Sequence, residues 1–436
     1  MYKTVTLKDV ADYSADKIAI EEVSLENFIT TDNILQNKQG VEQAVNLPPQ
    51  GGSLVKYEKG NILIANIRPY LKKIWYADRD GGASTDVLVI QVKKNYDSQF
   101  VYYALLRDDF FEHMMNGSKG TKMPRGDKNQ IMDFLIPDLV KEKQIKIASL
   151  LSRLDKKVEL NHKINQTLEH MAKTLYDYWF VQFDFPDANG KPYKSSGGKM
   201  VYSEALKREI PEGWEVGTLS NYIEIERGIS YKSSEINNSG KPMVNLNSFY
   251  LDGSYKVDGV KYFSGNYNEN KTVKNGELLI AVTDVTRNAD IIGKAILLPN
   301  IFEDTVLFSM DVAKITPNDK LDVHYLNMLF NSQPYHDFIK QFASGTLVLH
   351  LDLRALDFYR FVIPQKYILE KFSKFKSNIE KRKSIIIKEN QQLTALRDWL
   401  LPMLMNGQVT VTEARDMVEE VMVAEPSVGY GVKENQ

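Results

Sequence analysis

The sequence reads GNILIA at residues 60–65 and GELLIA at residues 276–281. A second motif follows each of these, FLIP at residues 134–137 and FVIP at residues 361–364. Both prolines lead into a long charged segment with the spacing of a helix. Two motifs that recur in the same order indicate a duplicated unit, made of one globule and one helix.

The two helical segments share a third motif, Asn-x-x-Leu, at residues 165–168 and 390–393. The interval between the first and the second copy is nearly the same for all three motifs. Chance matches would not be expected to keep the same order and nearly the same interval. The duplication predicts a pseudo-twofold molecule, which should act on a target that itself has two parts.

The composition indicates a soluble protein with more than one core. The chain has 436 residues, of which 43% are hydrophobic and 26% charged. No apolar run approaches the roughly 18 residues of a membrane span, and the N-terminus lacks a signal-peptide pattern. The absence of cysteine excludes disulfides and thiolate-bound zinc. We therefore expect a cytoplasmic protein.

The net charge of −2 on its own argues against nucleic-acid binding. The charge is uneven, however, because residues 413–425 hold most of a local acidic excess that can hide basic faces elsewhere.

A heptad pattern begins after residue 138. Apolar residues recur there at alternating spacings of four and three, which is typical of a coiled coil. The alternative is an ordinary amphipathic surface helix, but the length of the seam and its lack of internal Gly or Pro favour the coiled coil. The seam positions are Ile147, Leu151, Leu154, Val158, Asn161, Asn165, Leu168, Ala172, Leu175 and Trp179. The second segment repeats the pattern at Phe372, Phe375, Ile379, Ile386, Leu393, Leu396, Leu400 and Met403.

The predicted fold class is α+β, with two pseudo-twofold related α/β globules separated by a pair of long antiparallel coiled-coil helices. A strand is expected at residues 87–92 and a helical stretch at residues 100–111. Polar seam residues such as Asn165 and Arg382 should fix the register of the helices. A chain cut after the first helix should form a symmetric dimer through its exposed seam. The predicted boundaries are 1–137 for the first globule, 138–180 for the central helix, 181–212 for an exposed linker, 213–364 for the second globule, 365–407 for the distal helix and 408–436 for a flexible tail.

No catalytic motif meets its chemical requirement. A phosphate-binding loop of the Gly-x-x-x-x-Gly-Lys-Ser/Thr type is absent. The string NLPPQ at residues 46–50 resembles the Asn-Pro-Pro-aromatic loop of amino methyltransferases, but it carries an extra leucine and lacks the aromatic ring. Asp258 with Glu269 and Lys271 matches a nuclease pattern only loosely. We find neither a Ser-His-Asp triad nor a carboxylate pair. The sequence predicts a chain that is not an enzyme and binds no metal or cofactor.

The duplicated positions carry polar, basic and aromatic loops instead. Arg and Lys suit phosphates and guanine edges, and Thr and Tyr can contact bases or phosphates. Solvated loops without a partner are the alternative, which their recurrence in both halves disfavours. The DNA-binding candidates are Arg68, Tyr70, Lys72, Lys73, Lys119, Thr121, Lys122, Arg125, Arg227, Tyr231, Lys232, Thr283, Thr286, Arg287, Thr346 and His350.

Several stretches resemble the specificity subunit of type I restriction-modification systems. They are LDKKVELN at residues 154–161, WF at 179–180, IPEGW at 210–214 and LLPMLMNG at 400–407. The resemblance covers nearly the whole chain. Residues 5–10 match residues 216–221, although the Pro-x-Gly-Trp that precedes the second copy is missing before the first.

The resemblance implies two target-recognition domains joined by two antiparallel spacer helices, each domain reading half of a split DNA site. Two modification (methyltransferase) subunits would bind the helices, and restriction (helicase-nuclease) subunits would join them. S-adenosylmethionine, ATP and Mg are then expected on those partners, and none of them on this chain. Candidate anchors for the subunits are Tyr176, Trp179, Phe180, Trp399 and Leu400.

Two other hypotheses remain open from the sequence. One is a self-contained nuclease or methyltransferase with a cryptic site, and the other is a two-headed DNA-binding adaptor without a modification partner. Adjacent genes for a methyltransferase and a helicase-nuclease would distinguish them from a specificity subunit.

Overall fold

A computed structural model describes residues 2–49, 51–120 and 122–423. These residues form two compact units. Unit 1 comprises residues up to 160 together with those from 390 onwards, and unit 2 comprises residues 161–389. Each long helix is therefore shared between the two units, whereas the sequence suggested globules and helices as separate parts.

The globule of unit 1 is built from ten short strands and four helices. They are β1 (Thr4–Thr6), α1 (Leu7–Val10), β2 (Ala11–Tyr13), β3 (Lys17–Ala19), β4 (Phe28–Ile29), β5 (Ser53–Tyr57), β6 (Ile62–Ala65), β7 (Ile74–Tyr76), β8 (Gly81–Ala83), β9 (Val87–Val92), α2 (Ser98–Leu105), α3 (Asp108–Asn116), α4 (Lys128–Met132) and β10 (Leu135–Pro137). The predicted strand at 87–92 is confirmed. The predicted helical stretch at 100–111 is interrupted, because α2 ends at Leu105 and α3 begins at Asp108.

The first long helix and the globule of unit 2 follow. The elements are α5 (Lys141–Tyr176), β11 (Met200–Ser203), β12 (Arg208–Pro211), β13 (Glu215–Thr218), β14 (Ile223–Arg227), β15 (Ile236–Asn237), β16 (Lys241–Val244), β17 (Lys261–Phe263), β18 (Thr272–Val273), β19 (Leu278–Ala281), β20 (Thr283–Asp284), β21 (Ala295–Leu297), β22 (Val306–Phe308), β23 (Val312–Pro317), α6 (Val323–Phe330), α7 (Gln333–Ile339), β24 (Ala343–Ser344), β25 (Leu349–Leu351) and β26 (Arg360–Ile363). The last elements of the described part of the chain are α8 (Lys366–Asn406) and α9 (Val411–Val423).

The duplication is visible in the sheets. Unit 1 has a four-stranded sheet of order β2-β9-β6-β7, and unit 2 has one of order β14-β23-β19-β21. The repeated motifs provide the strands β6 and β19, which are buried along their whole length. Strand β1 pairs with β10 as β13 pairs with β26. The two globules therefore share one folding pattern.

A second sheet differs between the globules. Its shared part is β4-β8-β5 in unit 1 and β16-β22-β18 in unit 2. Unit 1 adds β3 beside β5, whereas unit 2 adds β17 and β15 beside β16.

The predicted seam lies on the buried face of the long helices. Leu151 and Leu154 of α5 join the unit 1 core together with Leu393 and Leu400 of α8. The pairing in unit 2 is antiparallel, because Asn161 contacts Glu389 near one end, whereas the ring of Tyr176 lies 6.1 Å from that of Phe372 near the other.

Arg382 does not lie in the seam as predicted, since it is exposed. On α8, Lys376 is buried instead, and the side chain of Lys383 is 15% exposed.

The predicted linker at residues 181–212 is exposed over most of its length, but its beginning packs on unit 2. A turn of π-helix, Asp177–Val181, extends α5, and Phe183 and Phe185 are then buried in the unit 2 core. The rings of Phe185 and Trp214 stack with their centroids 4.8 Å apart. The aromatic residues between the turns supply apolar area that offsets the cost of ordering this segment.

The prediction of a flexible tail after residue 407 is wrong for Val411–Val423, which form α9. Thr410 and Glu413 cap this helix reciprocally, since the Thr410 N–H donates to Glu413 Oε2 (2.8 Å) and the Glu413 N–H donates to Thr410 Oγ1 (3.2 Å). Ala414 and Val418 are buried in the unit 1 core. Residues 424–436, also part of that prediction, lie outside the described residues.

Among the described residues, no helix is both long and apolar enough to cross a membrane.

Candidate nucleic-acid interface

The structure brings the two candidate loops of unit 1 together. The Arg68 N–H donates to the carbonyl of Pro124 (2.8 Å), and the Gly126 N–H donates to the carbonyl of Asn66 (3.2 Å). Arg125 pairs on one side with Ile67 and on the other with Lys119. Residues 66–68 and 124–126, which are far apart in sequence, are therefore joined by backbone hydrogen bonds.

Four cationic side chains define surface 1: Arg68, Lys119, Lys122 and Arg125, all exposed. Arg125 Nη2 lies 3.0 Å from Asp86 Oδ1, and Lys119 Nζ lies 3.4 Å from Asp127 Oδ2. Ion pairs this exposed contribute little, so both cations remain available to a stronger acidic partner. Within the described part of the chain, Arg68 and Lys122 make no ion pair.

Two other DNA-binding candidates of the first loop, Lys72 and Lys73, contact acceptor groups within the protein. Lys72 Nζ lies 2.9 Å from Asp108 Oδ1. Lys73 is half-buried and donates to the carbonyl of Thr31, and burial lowers the pKa of its ammonium group. One of its three N–H donors is thus used within the protein, and DNA contact by Lys73 stays a prediction. Tyr70 is exposed, and Thr121 lies outside the described residues.

Unit 2 repeats the arrangement with a small three-stranded sheet. Thr283 in β20 pairs with His350 in β25, which pairs on its other side with Ser344 in β24. By their strand pairing, these three residues are the counterparts of Ile67, Arg125 and Lys119.

The turns at the tips of these hairpins also correspond. Gly120 and Gly345 both have positive φ, 96° and 143°. Such values favour glycine because a Cβ atom would be strained there.

The side chains of this second surface differ from those of the first. Surface 2 consists of Val285, Arg287, Thr346, Leu347 and His350, all exposed. Its two apolar side chains, Leu347 and Val285, are 89% and 65% exposed. Surface 2 therefore mixes apolar and polar groups, whereas surface 1 is cationic.

Two threonines predicted to bind DNA have internal partners. Thr283 is buried, and its hydroxyl donates to Asp311 Oδ1 (3.2 Å). The hydroxyl of Thr286 accepts from the Asp290 N–H (2.9 Å). The prediction is wrong for Thr283, because its side chain does not reach the surface, whereas Thr286 is half-buried.

The turn at residues 227–232 lies beside residues 308–311. The Ile229 N–H donates to the carbonyl of Phe308 (2.8 Å), and the Met310 N–H donates to that of Ile229 (2.7 Å). Gly228 permits this approach, since a Cβ there would lie 2.1 Å from the Phe308 oxygen.

The candidate side chains of this turn have different surroundings. Arg227 and Lys232 are exposed, whereas the Tyr231 hydroxyl accepts from Lys261 Nζ (3.0 Å).

Sequence reasoning missed two aspartates at equivalent places, Asp86 and Asp311. Each precedes the long strand of its central sheet, and the two coincide when the halves are aligned on the Asn-x-x-Leu motif. Their carbonyls accept from Asn66 (2.8 Å) and Val282 (2.9 Å) at the start of the candidate loops. Their carboxylates hold Arg125 and Thr283. The alignment that relates the loops also relates these aspartates, and it was the signal that could have identified them.

The family model described as "Type I restriction modification DNA specificity domain" matches residues 1–170 and 211–389. The chain belongs to this family. Among curated relatives, it is 25% identical over 447 residues to the type I restriction enzyme HindI specificity subunit of Haemophilus influenzae, covering 88% of this chain and 94% of that protein. It is 26% identical over 379 residues to the MjaIX specificity subunit of Methanocaldococcus jannaschii, covering 83% and 80%.

A solved structure supports the fold. The S subunit of a type I restriction-modification system from M. genitalium matches with a TM-score of 0.51 at 16% identity, covering 93% of this chain and 96% of that one. By the family model and the curated relatives, the chain is a specificity subunit of a type I system, the non-catalytic recognition component and not an enzyme. Within the described residues, no group of three or more His, Cys, Asp or Glu side chains could hold a metal ion.

Most of the predicted subunit anchors in this specificity subunit are internal. Tyr176 and Phe180 are buried in the unit 2 core, and Leu400 is buried in the unit 1 core. Trp179 is half-buried against Phe372 and Phe180. The prediction is therefore wrong for the three buried residues, because their apolar surface is already covered. Trp399 keeps 45% of its surface exposed.

Proposed function

We propose that this specificity subunit binds a bipartite site in double-stranded DNA, one half through surface 1 and the other through surface 2. The observation that supports this most is the repeated arrangement of the loops. The two globules retain the same strand pairing at Arg125 and His350 but present different side chains around it. Two globules with the same backbone arrangement but different loop side chains are suited to binding two different DNA sequences in the same way.

Surface 1 has the chemistry for guanine and phosphate. The fork of N–H groups on an arginine matches the O6 and N7 acceptors of guanine, and lysines contact phosphates as point charges. The exposed carboxylate of Asp86 orients the Arg125 guanidinium before DNA arrives. We assign base contact to Arg125, and phosphate contact to Lys119 and Lys122.

Surface 2 has a different chemistry. Leu347 and Val285 offer apolar contact of the kind that thymine methyl groups accept, while His350 and Arg287 can donate to base edges or phosphates. The two half-sites should therefore differ in sequence, with guanine contacts concentrated in the half read by unit 1.

We further propose that the chain scaffolds two modification subunits and the restriction subunits, and works with them in the cytoplasm. S-adenosylmethionine, ATP and Mg would then be bound by those partners. Trp399, which lies on α8 with its ring exposed, is the anchor that we retain for a modification subunit.

The test is reconstitution of the purified chain with a modification subunit from the same gene cluster. The complex should methylate adenine at a split site, and the chain alone should neither methylate nor cut DNA. Turnover of S-adenosylmethionine by the lone chain would favour the enzyme hypothesis. Specific binding to DNA without any association with a modification subunit would favour the adaptor.

A further inference from the structure

The duplication assigns each position of α5 a counterpart in α8 when the two helices are aligned on the shared Asn-x-x-Leu motif. Both helices begin at counterpart positions, Lys141 and Lys366. Ile147 and its counterpart Phe372 are fully buried in the cores of unit 1 and unit 2 respectively. If two copies of α5 paired with each other, a residue of the second α5 would take the place of each α8 residue. The alignment identifies that residue from the sequence.

The polar contacts that join α5 to α8 include the following three. In unit 1, Asp155 Oδ1 lies 2.8 Å from Arg397 Nη1. In unit 2, Asn161 Nδ2 donates to Glu389 Oε2 (2.8 Å). Also in unit 2, Glu169 forms ion pairs with Lys383 and, at 3.6 Å, with Lys376.

The cations of these contacts are poorly accessible to water. The side chains of Arg397, Lys383 and Lys376 are only 16%, 15% and 1% exposed, whereas those of Asp155 and Glu169 are 31% and 34% exposed. Each cation also pairs with a carboxylate of α8 itself, Arg397 with Asp398 and both lysines with Glu380. The contacts with α5 add a second carboxylate to each of these cations, and they favour α8 as the partner of α5.

Pairing of two α5 helices would lose all three contacts. The α5 residues at the positions of Arg397, Glu389 and Lys383 are Ala172, Ile164 and Val158. Asp155, Asn161 and Glu169 would then each face an apolar side chain. The buried amide of Asn161 would lose its acceptor Glu389, and the partly exposed carboxylates of Asp155 and Glu169 would lose their cations on α8.

The packing of the helix ends opposes the same pairing. In unit 1, the end of α8 fills the core with four aliphatic side chains, Leu400, Leu401, Leu404 and Met405. Their α5 counterparts pack on the unit 2 core and include three large rings: Leu175, Tyr176, Trp179 and Phe180. Placing these rings where the aliphatic side chains now fit would overpack the unit 1 core.

We propose that α5 pairs selectively with the α8 half of this protein and does not pair with a second α5. The repeat alone predicts a symmetric dimer of the N-terminal half, and the contacts of the helices favour the opposite outcome. A detached N-terminal half is recognised by a C-terminal half, from the same or another copy of the chain. This selectivity does not depend on DNA binding.

The first test is a double-mutant cycle in the intact chain. Asp155 also accepts a hydrogen bond from the Tyr103 hydroxyl (2.6 Å), so all proteins carry Tyr103→Phe to remove that contact. Asp155→Arg and Arg397→Asp should each lower the thermal midpoint, and their combination should restore most of the loss. Additive effects of the two substitutions would overturn the role of this pair. Lys146→Ala, which removes an exposed ion pair within α5, is the control and should change little.

The second test uses the full chain cleaved at one place. A protease site inserted after Asn189, in an exposed turn, separates the halves once the protein has folded. The cleaved protein is denatured, refolded and weighed by native mass spectrometry.

We expect N-terminal with C-terminal pairs to exceed N-terminal homodimers by at least about tenfold, as a pairing preference of about 1.4 kcal/mol would give. Homodimers in the proportion of random pairing would overturn the proposal. If the halves do not refold, the double-mutant cycle still decides it.

Discussion

Replacing Arg125 with alanine removes the central side chain of surface 1 and tests whether that surface reads DNA. The Arg125 and Asp86 side chains are 60% and 40% exposed, so their ion pair contributes less than about 1 kcal/mol to folding. The variant should therefore fold normally. If the guanidinium contacts a base edge, specific binding should weaken by about 1–3 kcal/mol, or roughly 5- to 150-fold, and specificity should relax at one position.

The assay is fluorescence anisotropy of the assembled complex with its target DNA at several salt concentrations. A contact made only to phosphate would instead weaken binding to all sequences alike and lower the salt slope by about 1. Lys8→Ala is a matched control, because Lys8 also forms an exposed ion pair in unit 1, with Asp133 at 2.9 Å. Unchanged affinity, sequence preference and salt slope for Arg125→Ala, or an equal loss for Lys8→Ala, would refute the assignment.

Three further outcomes are expected. Burial alone raises the pKa of Glu380, but Lys376 and Lys383 lower it to about 2 from its ordinary 4.5. The stabilisation that the ionised Glu380 contributes is therefore present above about pH 5 and is lost as the pH falls towards 2. Glu380→Gln should thus flatten the dependence of the thermal midpoint on pH in that window. An unchanged profile in calorimetry would count against stabilisation by the ion pairs of Glu380 with Lys376 and Lys383. Val418→Asp should lower the urea midpoint clearly, because it buries an unpaired carboxylate. Glu419→Gln, on the exposed face of α9, should leave the midpoint unchanged. Equal effects of the two substitutions would mean that α9 does not pack on the unit 1 core. Trp399→Ala should weaken capture of a modification subunit without loss of stability, whereas Leu400→Ala should cost about 2–5 kcal/mol of stability; a loss of stability in both would exclude Trp399 as an anchor.

The sequence was sufficient for features that depend on pattern and order. The repeated motifs identified β6 and β19, and the 3-4 spacing identified the seam of both long helices. The loops around Arg125 and His350 were predicted as candidates because they recur at equivalent places. Each of these features is visible either in residues that are close together in sequence or in the nearly constant interval between the two copies of the repeat.

Features that depend on long-range contacts were not predictable in this way. Tyr176 and Phe180 look like surface anchors in sequence, but the unit 2 core covers them. Lys73 lies in a basic run, yet it is half-buried and donates one hydrogen bond to the carbonyl of Thr31. The buried face of α9 is short, and only its capping by Thr410 and its packing on unit 1 make it a stable helix.

The most direct test of the central claim is a genome-wide map of methylated adenines in cells that carry this chain with its modification subunit. Wild-type protein should yield a motif of two separated half-sites. Arg125→Ala should relax one half only, and His350→Ala should relax the other half only. A single uninterrupted motif, or a change in both halves caused by either substitution, would contradict the account.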